Sequence, residues 1–321
     1  MSHSLRIAVL GAWHVHARDY GRALRAHPEV EVIGIWDEDS ARGRQLAEQL
    51  GIEFVASRDH LLGRSDLDGV VVTTATRDHD EVIAAALSAG RHVFTEKLLS
   101  PTVAGCDALI ALADQHDRVL TVSLPRLALG CVAALRDLLD SGALGTVVTS
   151  RVRLAHGGGL TDQLPEWFYD PQEALGGAFT DLGAHPACLT QVILGDEFES
   201  VHAAYAHVTG RAVEDSAVVT VTTAGGAIGV IETGFVTPSG PLSFEVHGTE
   251  GSVLYGTDPG GAPRLRLRTA DGWSEIEIPD NGPAPLQQWA EAIRRRERTT
   301  DNLARARALT SLVVAANDSA R

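Results

Sequence analysis

Two residue types suited to acid–base chemistry stand far apart in this 321-residue sequence, at Lys97 and His185. Histidine exchanges a proton near neutral pH, and a lysine ammonium stabilises negative charge that develops on oxygen. The oxidation of a secondary alcohol needs both functions, because a proton leaves the oxygen as a hydride leaves the carbon. The two residue types would therefore suit alcohol or ketone chemistry if the fold brought them to one site.

Asp181 precedes His185 by four residues. If a helix has begun by Asp181, the two side chains share one helical face. Pro186 favours a later start, nearer Leu182, because proline is tolerated in a first helical turn, and Asp181 would then be the N-cap. Two interpretations stay open at this point: an acid–base pair, or a helix cap followed by a histidine satisfied within the core.

Glu96 and Lys97 follow a short apolar run at 92–94 and precede Pro101. This pattern is typical of the carboxyl end of a parallel strand, where open α/β sheets place their ligand crevices. An adjacent acid and base can equally be a solvated surface ion pair. The elements that surround the pair have to decide between the two interpretations.

Strands and helices alternate along the first 123 residues. We predict strands at 5–10, 30–36, 54–57, 70–73, 92–94 and 119–123, with the third at an edge of the sheet. We predict helices at 19–27, 40–51, 80–89 and 103–115. This alternation predicts an α/β domain over 1–123, with a doubly wound parallel sheet of the Rossmann type that binds a dinucleotide.

The pattern changes after residue 123. We predict strands at 147–154, 199–208, 216–223, 228–236, 242–247, 252–255, 264–269 and 273–278, and helices at 129–141, 181–194, 286–296 and 302–321. The strands alternate apolar and polar residues, which predicts an α+β domain over 124–321 with a mostly antiparallel open sheet and helices on one side. The other sheet face would be exposed and could pair with another subunit, so we expect a homo-oligomer, a dimer or a tetramer.

The turn after the first strand reads Gly11-Ala12-Trp13-His14-Val15-His16. Dinucleotide-binding turns use G-x-G-x-x-G, whose glycines let backbone N–H groups approach a pyrophosphate. Only the first glycine is present, so Trp13 would have to turn its side chain aside while its N–H meets the phosphate. We expect residues 11–15 to contact the cofactor. A metal site on His14 and His16 is the alternative, but no carboxylate stands beside them at ligand spacing.

Asp37 ends the second predicted strand. A carboxylate at this position can accept both ribose hydroxyls of NAD and would repel the additional phosphate of NADP. The expected cofactor is therefore NAD, with NADP less favoured. The alternative is a helix-capping or turn aspartate within the segment W-D-E-D-S.

The composition argues against several classes of partner. A formal net charge of −15 is unfavourable for binding nucleic acids or anionic membranes. The three cysteines are scattered and lack metal-ligand spacing, and no apolar stretch has the length of a signal-peptide core or a membrane span. We therefore expect a cytoplasmic protein without a metal, whose partner is a small molecule.

Taken in order, these motifs resemble the glucose-fructose oxidoreductase, inositol dehydrogenase and rhizopine catabolism (Gfo/Idh/MocA) family of NAD(P)-dependent oxidoreductases. The resemblance covers essentially the whole chain. Besides Gly11 and Asp37 it rests on four segments: T-A-T-R-D-H at 74–79, A-L-S-A-G-R-H-V-F-T-E-K at 86–97, G-G-A-F-T-D-L-G-A-H-P at 176–186 and H-G-T-E-G-S at 247–252. It implies hydride transfer between NAD(H) and a secondary alcohol or ketone of a sugar, inositol or related polyol.

The resemblance also implies roles for individual residues. His185 would be the general base, Lys97 would bond the reacting oxygen, and Asp181 would orient a neighbouring hydroxyl or the histidine; all three would contact the substrate. Further cofactor contacts are implied for Thr74, Ala75, Thr76, His79, Glu96, Lys97 and Arg126. Of these, His79 is expected mainly to shape its loop, and Arg126 could instead form a salt bridge.

The chain departs from the family pattern directly after Lys97. The Glu-Lys pair is usually followed by a proline, often cis, but Leu98 stands here. Because a non-proline cis bond costs about 3 kcal/mol, we expect a trans bond before Leu98 and a slightly different approach of the lysine.

Trp167 and Phe168 lie in the proline-bounded segment L-P-E-W-F-Y-D-P. Their rings could form a flat wall for the apolar face of a sugar, although aromatic residues more often form plain core. We expect both residues to contact the substrate.

Two further functions stay open. Some proteins of this fold oxidise, eliminate or hydrolyse, and re-reduce with bound NAD, which makes them redox-neutral lyases or glycosidases. A non-catalytic NAD-binding sensor or assembly protein would keep the fold, and Trp13, His16 and Leu98 favour that alternative.

Overall fold

The structure is a computed structural model that describes residues 4–161, 163–257 and 261–320. Its first part alternates strands and helices: β1 (Leu5–Leu10), α1 (Ala17–Ala26), β2 (Val30–Trp36), α2 (Ser40–Leu50), α3 (Arg58–Leu62), β3 (Gly69–Val72), α4 (His79–Ser88), β4 (His92–Thr95), α5 (Val103–Gln115) and β5 (Leu120–Val122). The predicted elements are therefore present to within a few residues, apart from one strand.

The rest of the chain is richer in strands. Its elements are α6 (Gly130–Asp140), β6 (Val147–Ala155), α7 (Pro171–Ala174), α8 (Ala184–Leu194), β7 (Ser200–Ala206), β8 (Ser216–Thr222), β9 (Ile228–Gly234), β10 (Gly240–Gly248), β11 (Ser252–Thr257), β12 (Pro263–Thr269), β13 (Gly272–Ile276), α9 (Pro285–Arg295) and α10 (Thr300–Ser319). Among the described residues, no helix combines the length and the apolar character that a membrane span requires.

The first five strands form one parallel sheet in the order β2-β1-β3-β4-β5. Their central residues are fully buried, as strands covered on both faces must be; Ile7, Val71 and Phe94 are examples. The strand order reverses between β1 and β3, and doubly wound sheets bind their ligands at the carboxyl ends of the strands on either side of this reversal. The predicted Rossmann sheet is confirmed.

The predicted edge strand at 54–57 is wrong. Phe54 makes a single bridge to Ile35. The hydroxyl oxygen of Ser57 accepts the N–H of His60 at 3.2 Å and so caps α3. This cap satisfies one of the free N–H groups at the start of α3. The chain therefore continues as a helix after Ser57 and does not add a strand to the sheet.

The chain divides into two compact units. The first contains the chain up to Ser123 together with Pro285–Arg307, and the second contains Leu124–Ala284 and the residues from Ala308 onward. The sequence had placed 285–307 with the second domain. In the structure Trp289 of α9 is 1% exposed and its ring centroid lies 5.9 Å from that of Phe94 in β4. An amphipathic pattern shows that one face of a helix is buried, but it does not show against which of the two units that face packs.

The eight remaining strands form a second sheet in the order β13-β12-β11-β10-β6-β9-β8-β7. All neighbouring pairs are antiparallel except β6 and β9, which are parallel. One sheet face packs on α6 and α8, where Val132 and Leu189 join Phe244 of β10 in a buried cluster. The other face is exposed and carries charged side chains, among them Arg151 and Glu232 at 2.8 Å. The predicted open sheet with helices on one side is confirmed.

Candidate functional site

Glu96 and Lys97 lie directly after β4, at the carboxyl edge of the parallel sheet. Only 3% of Glu96 and 5% of Lys97 is exposed, so the interpretation as a solvated surface pair is wrong. Lys97 is also the only lysine in the whole sequence, in which the other strongly basic side chains are all arginines. This count is visible without any structure, and it singles out Lys97 independently of the motif.

The Glu96 carboxylate is held by two hydrogen bonds. Its Oε1 accepts the Tyr20 hydroxyl of α1 at 2.5 Å, and its Oε2 accepts the N–H of Lys97 at 3.1 Å. Burial alone would raise the pKa of Glu96. Electrostatic interactions with His14 and Lys97, together with the Tyr20 bond, lower it instead to about 2. Glu96 is therefore ionised at physiological pH. Nothing in the sequence pattern of α1 indicated the part played by Tyr20.

The loop after Lys97 is anchored by His79, the first residue of α4. His79 is fully buried, and its Nδ1 donates a hydrogen bond of 2.6 Å to the carbonyl oxygen of Leu98. Burial lowers the pKa of His79 to about 4, so its ring is neutral at physiological pH. This contact is the loop-shaping role expected of His79, whereas its contact with the cofactor stays a prediction.

The peptide bond between Lys97 and Leu98 is cis. The expectation of a trans bond is wrong because it considered only the intrinsic preference of a non-proline peptide. Leu98 is 4% exposed, and its carbonyl oxygen is the acceptor for His79. The segment around this bond is thus buried and hydrogen-bonded in the folded chain, and neither property can be read from the sequence.

The turn after β1 packs tightly against the residues that follow β3. Gly11 has a φ of +102°, and a Cβ on it would lie 2.4 Å from the backbone nitrogen of Thr74. Only glycine combines this conformation with so close an approach. The N–H of His14 donates to the carbonyl oxygen of Thr73 at 3.0 Å, and Trp13 is 5% exposed. One glycine is therefore enough to build this turn.

Asp37 is 2% exposed, and its carboxylate is engaged within the protein. Oδ2 accepts the N–H of Ala12 at 2.5 Å and Nε of Arg42 at 3.1 Å. Oδ1 accepts the N–H of Asp39 at 2.7 Å and Nη2 of Arg42 at 2.8 Å. A carboxylate has about four acceptor positions, and these bonds occupy them. Asp37 thus stabilises the turn in which it lies. To accept a ribose hydroxyl it would have to give up one of these four hydrogen bonds. The cap of α2 is Asp39.

A cavity of ≈ 340 Å³ lies at the carboxyl ends of β2 and β3. Its lining includes four acidic side chains and one basic side chain: Glu38, Asp59, Asp78, Glu81 and Arg58. Partial burial, and next the charge of Asp78, raise the pKa of Glu38. Rossmann sheets bind dinucleotides at this edge, so the position and the size of the cavity fit part of such a cofactor. Arg58 lies 2.9 Å from Glu81, and Arg77 lies 3.5 Å from Glu38, so two cations partly offset the four carboxylates. The carboxylates outnumber these cations, which is unfavourable for an additional phosphate.

Asp181 and His185 lie in the second unit, at the amino end of α8. The helix has Gly183 as its N-cap residue, so both the N-cap interpretation of Asp181 and a helix already begun at Asp181 are wrong. Asp181 lies in the preceding turn and donates its N–H to the carbonyl oxygen of Gly177 at 3.0 Å. Pro186 stands in the first turn of α8, where its missing N–H is tolerated. Asp181 and His185 are both half-buried, so His185 is not a fully buried core histidine.

The turn that carries Asp181 is anchored by Glu214. This buried residue accepts the N–H of Phe179 on Oε1 and the N–H of Ala178 on its backbone oxygen, each at 2.9 Å. A Cβ on Gly177 would lie 2.0 Å from that backbone oxygen, so glycine is required there. Burial raises the pKa of Glu214. No spacing in the sequence connects these residues, and the anchor was not foreseen.

The two aromatic candidates for a substrate wall differ in exposure. Both lie in a short 3-10 turn, Glu166–Tyr169. Phe168 is 2% exposed, whereas Trp167 is half-exposed. The predicted contact of each ring with the substrate stays a prediction.

Arg126 lies in another 3-10 turn of the second unit, Pro125–Ala128, and is half-buried. Burial lowers the pKa of its guanidinium, which interacts electrostatically with Cys131 and Tyr255. Within the described ranges Arg126 forms no salt bridge, so the salt-bridge alternative is not realised. Its contact with a nicotinamide stays a prediction.

The metal-site alternative concerns His14 and His16, whose ring centroids lie 5.1 Å apart. A carboxylate does stand beside them, because Asp19 Oδ2 lies 3.6 Å from His16 Nδ1. In the part of the chain that the structure describes, no group of three or more His, Cys, Asp or Glu side chains could hold a metal ion.

Comparison with protein-family models gives two matches. Residues 5–124 match the model "Oxidoreductase family, NAD-binding Rossmann fold", and residues 132–254 match "GFO/IDH/MocA C-terminal domain". Together these matches cover well over half of the chain.

Curated relatives and solved structures agree with the family models. The chain is 31% identical to 1,5-anhydro-D-fructose reductase of Ensifer adhaerens over 82% of its length and 79% of that protein. It is 28% identical to myo-inositol 2-dehydrogenase of Thermotoga maritima over 78% of its length and 75% of that protein. The structure of GenD2 from gentamicin A biosynthesis, in complex with NAD, superposes with a TM-score of 0.83 at 28% identity, covering 100% of this chain and 95% of that one.

Proposed function

The chain belongs to the Gfo/Idh/MocA family of NAD-binding oxidoreductases, and from this premise we propose that its substrate is a sugar, an inositol or a related polyol. It is an enzyme, and its cofactor is NAD(P). The proposed reaction transfers a hydride between NAD(H) and a secondary alcohol or ketone of that substrate. The observation that supports it best is the burial of the only lysine beside an ionised glutamate at the carboxyl edge of a Rossmann sheet.

We assign Lys97 to the reacting oxygen. A buried ammonium is little screened by water, so a hydrogen bond from it to a developing alkoxide is strong. When bound, NAD(H) would supply the hydride acceptor for oxidation or the hydride donor for reduction. Glu96 and His79 support this role, because one bonds the N–H of Lys97 and the other bonds the carbonyl oxygen of Leu98.

We assign proton transfer to His185. Its imidazole takes the hydroxyl proton when the alcohol is oxidised and returns it when the ketone is reduced. Asp181 orients the imidazole or a neighbouring substrate hydroxyl, and Trp167 and Phe168 contact an apolar sugar face. The proposed cofactor contacts are Gly11, Ala12, Trp13, His14, Val15, Asp37, Thr74, Ala75, Thr76, His79, Glu96, Lys97 and Arg126.

We propose NAD as the preferred form of the cofactor, because the cavity at the ends of β2 and β3 is lined mainly by acidic side chains. Glu38→Arg should strengthen NADPH binding relative to NADH binding about tenfold, since it removes one repulsive charge and adds an attractive one at a partly solvated site. Titration of tryptophan fluorescence with each nucleotide measures the ratio of dissociation constants. Glu48→Arg, on the exposed side of α2, is the matched control and should leave the ratio unchanged. An unchanged ratio in Glu38→Arg would assign the preference to another residue.

The substrate class is tested with a panel of sugars, inositols and sugar acids and their keto forms, assayed with NAD or NADH by absorbance at the nicotinamide band. We expect turnover with at least one cyclic polyol or its ketone. Conversion of a substrate without net change in NADH would instead identify a redox-neutral enzyme. Nucleotide binding without any conversion would favour a sensor.

We further propose a cytoplasmic homo-oligomer, formed through the exposed face of the second sheet. Val218 and Ile228 are 41% and 46% exposed on the neighbouring strands β8 and β9, and Trp273 is 54% exposed on the edge strand β13, so this face offers apolar side chains to a partner. The three cysteines are free and buried, as suits a reducing compartment.

The oligomer has its own test. Light scattering after gel filtration should give a mass of two or four chains for the parent protein, and Ile228→Asp should shift it toward one chain, because a charge buried in an interface is costly. Val208→Asp, at a residue that is 72% exposed beyond the end of β7, is the matched control. A monomeric parent protein would refute the proposal.

A further inference from the structure

Tyr20 joins three elements of the first unit at one point. Its hydroxyl lies 2.5 Å from Glu96 Oε1, after β4, and 2.7 Å from Ser123 Oγ, after β5. We propose that Tyr20 is a positioning residue for Lys97: it fixes the Glu96 carboxylate, and that carboxylate fixes the lysine. The inference rests on the proposed function only in so far as Lys97 is the group that meets the reacting oxygen.

The hydrogen bonds around Tyr20 have a definite direction. An ionised carboxylate can only accept, so the Tyr20 hydroxyl must donate its single proton to Glu96. The remaining contact then leaves Tyr20 as the acceptor of the Ser123 hydroxyl, which is 2% exposed. Burial, and next the charge of Glu96, raise the pKa of Tyr20, so the phenol stays protonated near neutral pH. Ser123 therefore donates to Tyr20, and Tyr20 donates to Glu96.

The carboxylate that Tyr20 holds acts directly on Lys97. With Oε1 bound to Tyr20, the other oxygen is aimed at the backbone N–H of Lys97 at 3.1 Å. The same negative charge interacts electrostatically with the Lys97 ammonium. Where water is largely excluded, both effects depend strongly on the orientation of the carboxylate. Removal of the phenol hydroxyl should therefore disturb Lys97 without any direct contact between the two side chains.

Packing by the Tyr20 ring is separable from this role. The ring makes an edge contact with Phe94, with centroids 5.3 Å apart and an interplanar angle of 69°. Tyr20→Phe keeps that contact and removes only the hydroxyl. A residue that merely filled space would tolerate this change with no effect on the lysine.

The single lysine makes a direct test possible. Protein grown with lysine labelled with carbon-13 at Cε gives one side-chain resonance, that of Lys97. In Tyr20→Phe this resonance should shift by more than its linewidth. In Ser123→Ala, which keeps the Tyr20 to Glu96 bond but removes the hydroxyl that donates to Tyr20, it should shift by a smaller amount that is still resolved. Tyr255→Phe, which removes a phenol hydroxyl in the second unit, is the control and should leave it unmoved. A Lys97 resonance of the same position and width in Tyr20→Phe and in the parent protein would overturn the inference.

Kinetics then separate positioning from structure. In Tyr20→Phe, kcat with the best substrate of the panel should fall about tenfold, as expected for one lost bond to a charged group, while KM and the dissociation constant of NADH stay within about twofold. Equal losses in kcat and NADH affinity would indicate a structural role and refute positioning. If Tyr20→Phe does not fold, Ser123→Ala becomes the test. A Lys97 resonance that does not shift in Ser123→Ala then overturns the inference. Because the resonance is read without turnover, this result is independent of whether Lys97 proves catalytic.

Discussion

Lys97→Met is expected to lower kcat about a thousandfold while leaving the dissociation constant of NADH within about threefold. Loss of one preorganised donor to a developing oxyanion costs about 100- to 1,000-fold in rate, and no second lysine exists to replace it. Methionine has a similar volume and suits a site that is 5% exposed, so the variant should fold. Steady-state turnover and quenching of tryptophan fluorescence by NADH measure the two quantities.

The control for this variant is Leu99→Met. Leu99 is fully buried two residues further along the same loop, and it has no assigned role. It should retain kcat within about threefold, because leucine and methionine exchange with little change of volume. Retained turnover in Lys97→Met would remove the lysine from the mechanism, whereas a parallel loss of NADH binding would show that the lysine serves the cofactor instead.

His185→Asn is expected to lower kcat by about 100- to 10,000-fold, the range attributed to a positioned general base. Asparagine keeps a polar group of similar size but cannot take a proton from the substrate. The free energy of unfolding should change little, because His185 is only half-buried. The rate of the first turnover, followed by rapid mixing with NAD and the alcohol, is the informative measurement, since it reports the proton and hydride steps before product release.

His202→Asn serves as the matched control. His202 is exposed on β7 and has no assigned role, so its variant should turn over at the rate of the parent protein. If His185→Asn retains the first-turnover rate, proton transfer has to be assigned to another group. If it loses substrate affinity but keeps the rate, His185 is a binding residue.

The structure revises the importance of Asp37. The sequence presents it as the acid that ends the second strand, and that position is correct. The sequence does not show that Arg42, in the first turn of α2, bonds Asp37 through two nitrogens, or that the N–H of Ala12 donates to the same carboxylate. These partners come from different elements, and their meeting depends on the packing of α2 against β2. We therefore propose that the acidic cavity next to Asp37 contributes to the preference for NAD over NADP.

The sequence by itself determined the type of both sheets, the position of Lys97 at a strand end and the family of the chain. The spacing of apolar residues and the residues that end a helix or strand are local properties, and each is contained in a run of five to ten residues. The same information placed α8 and α9 within a few residues, because apolar spacing marks a helix wherever it packs.

Only the tertiary structure decided the partners of the site residues. Tyr20 and Glu96 are separated by 76 positions, and His79 and Leu98 by 19, yet each pair forms a hydrogen bond. The assignment of α9 to the first unit and the cis bond before Leu98 belong to the same class. The physical reason is that burial and hydrogen bonding depend on which surfaces meet when the chain is compact, and no local pattern records that meeting.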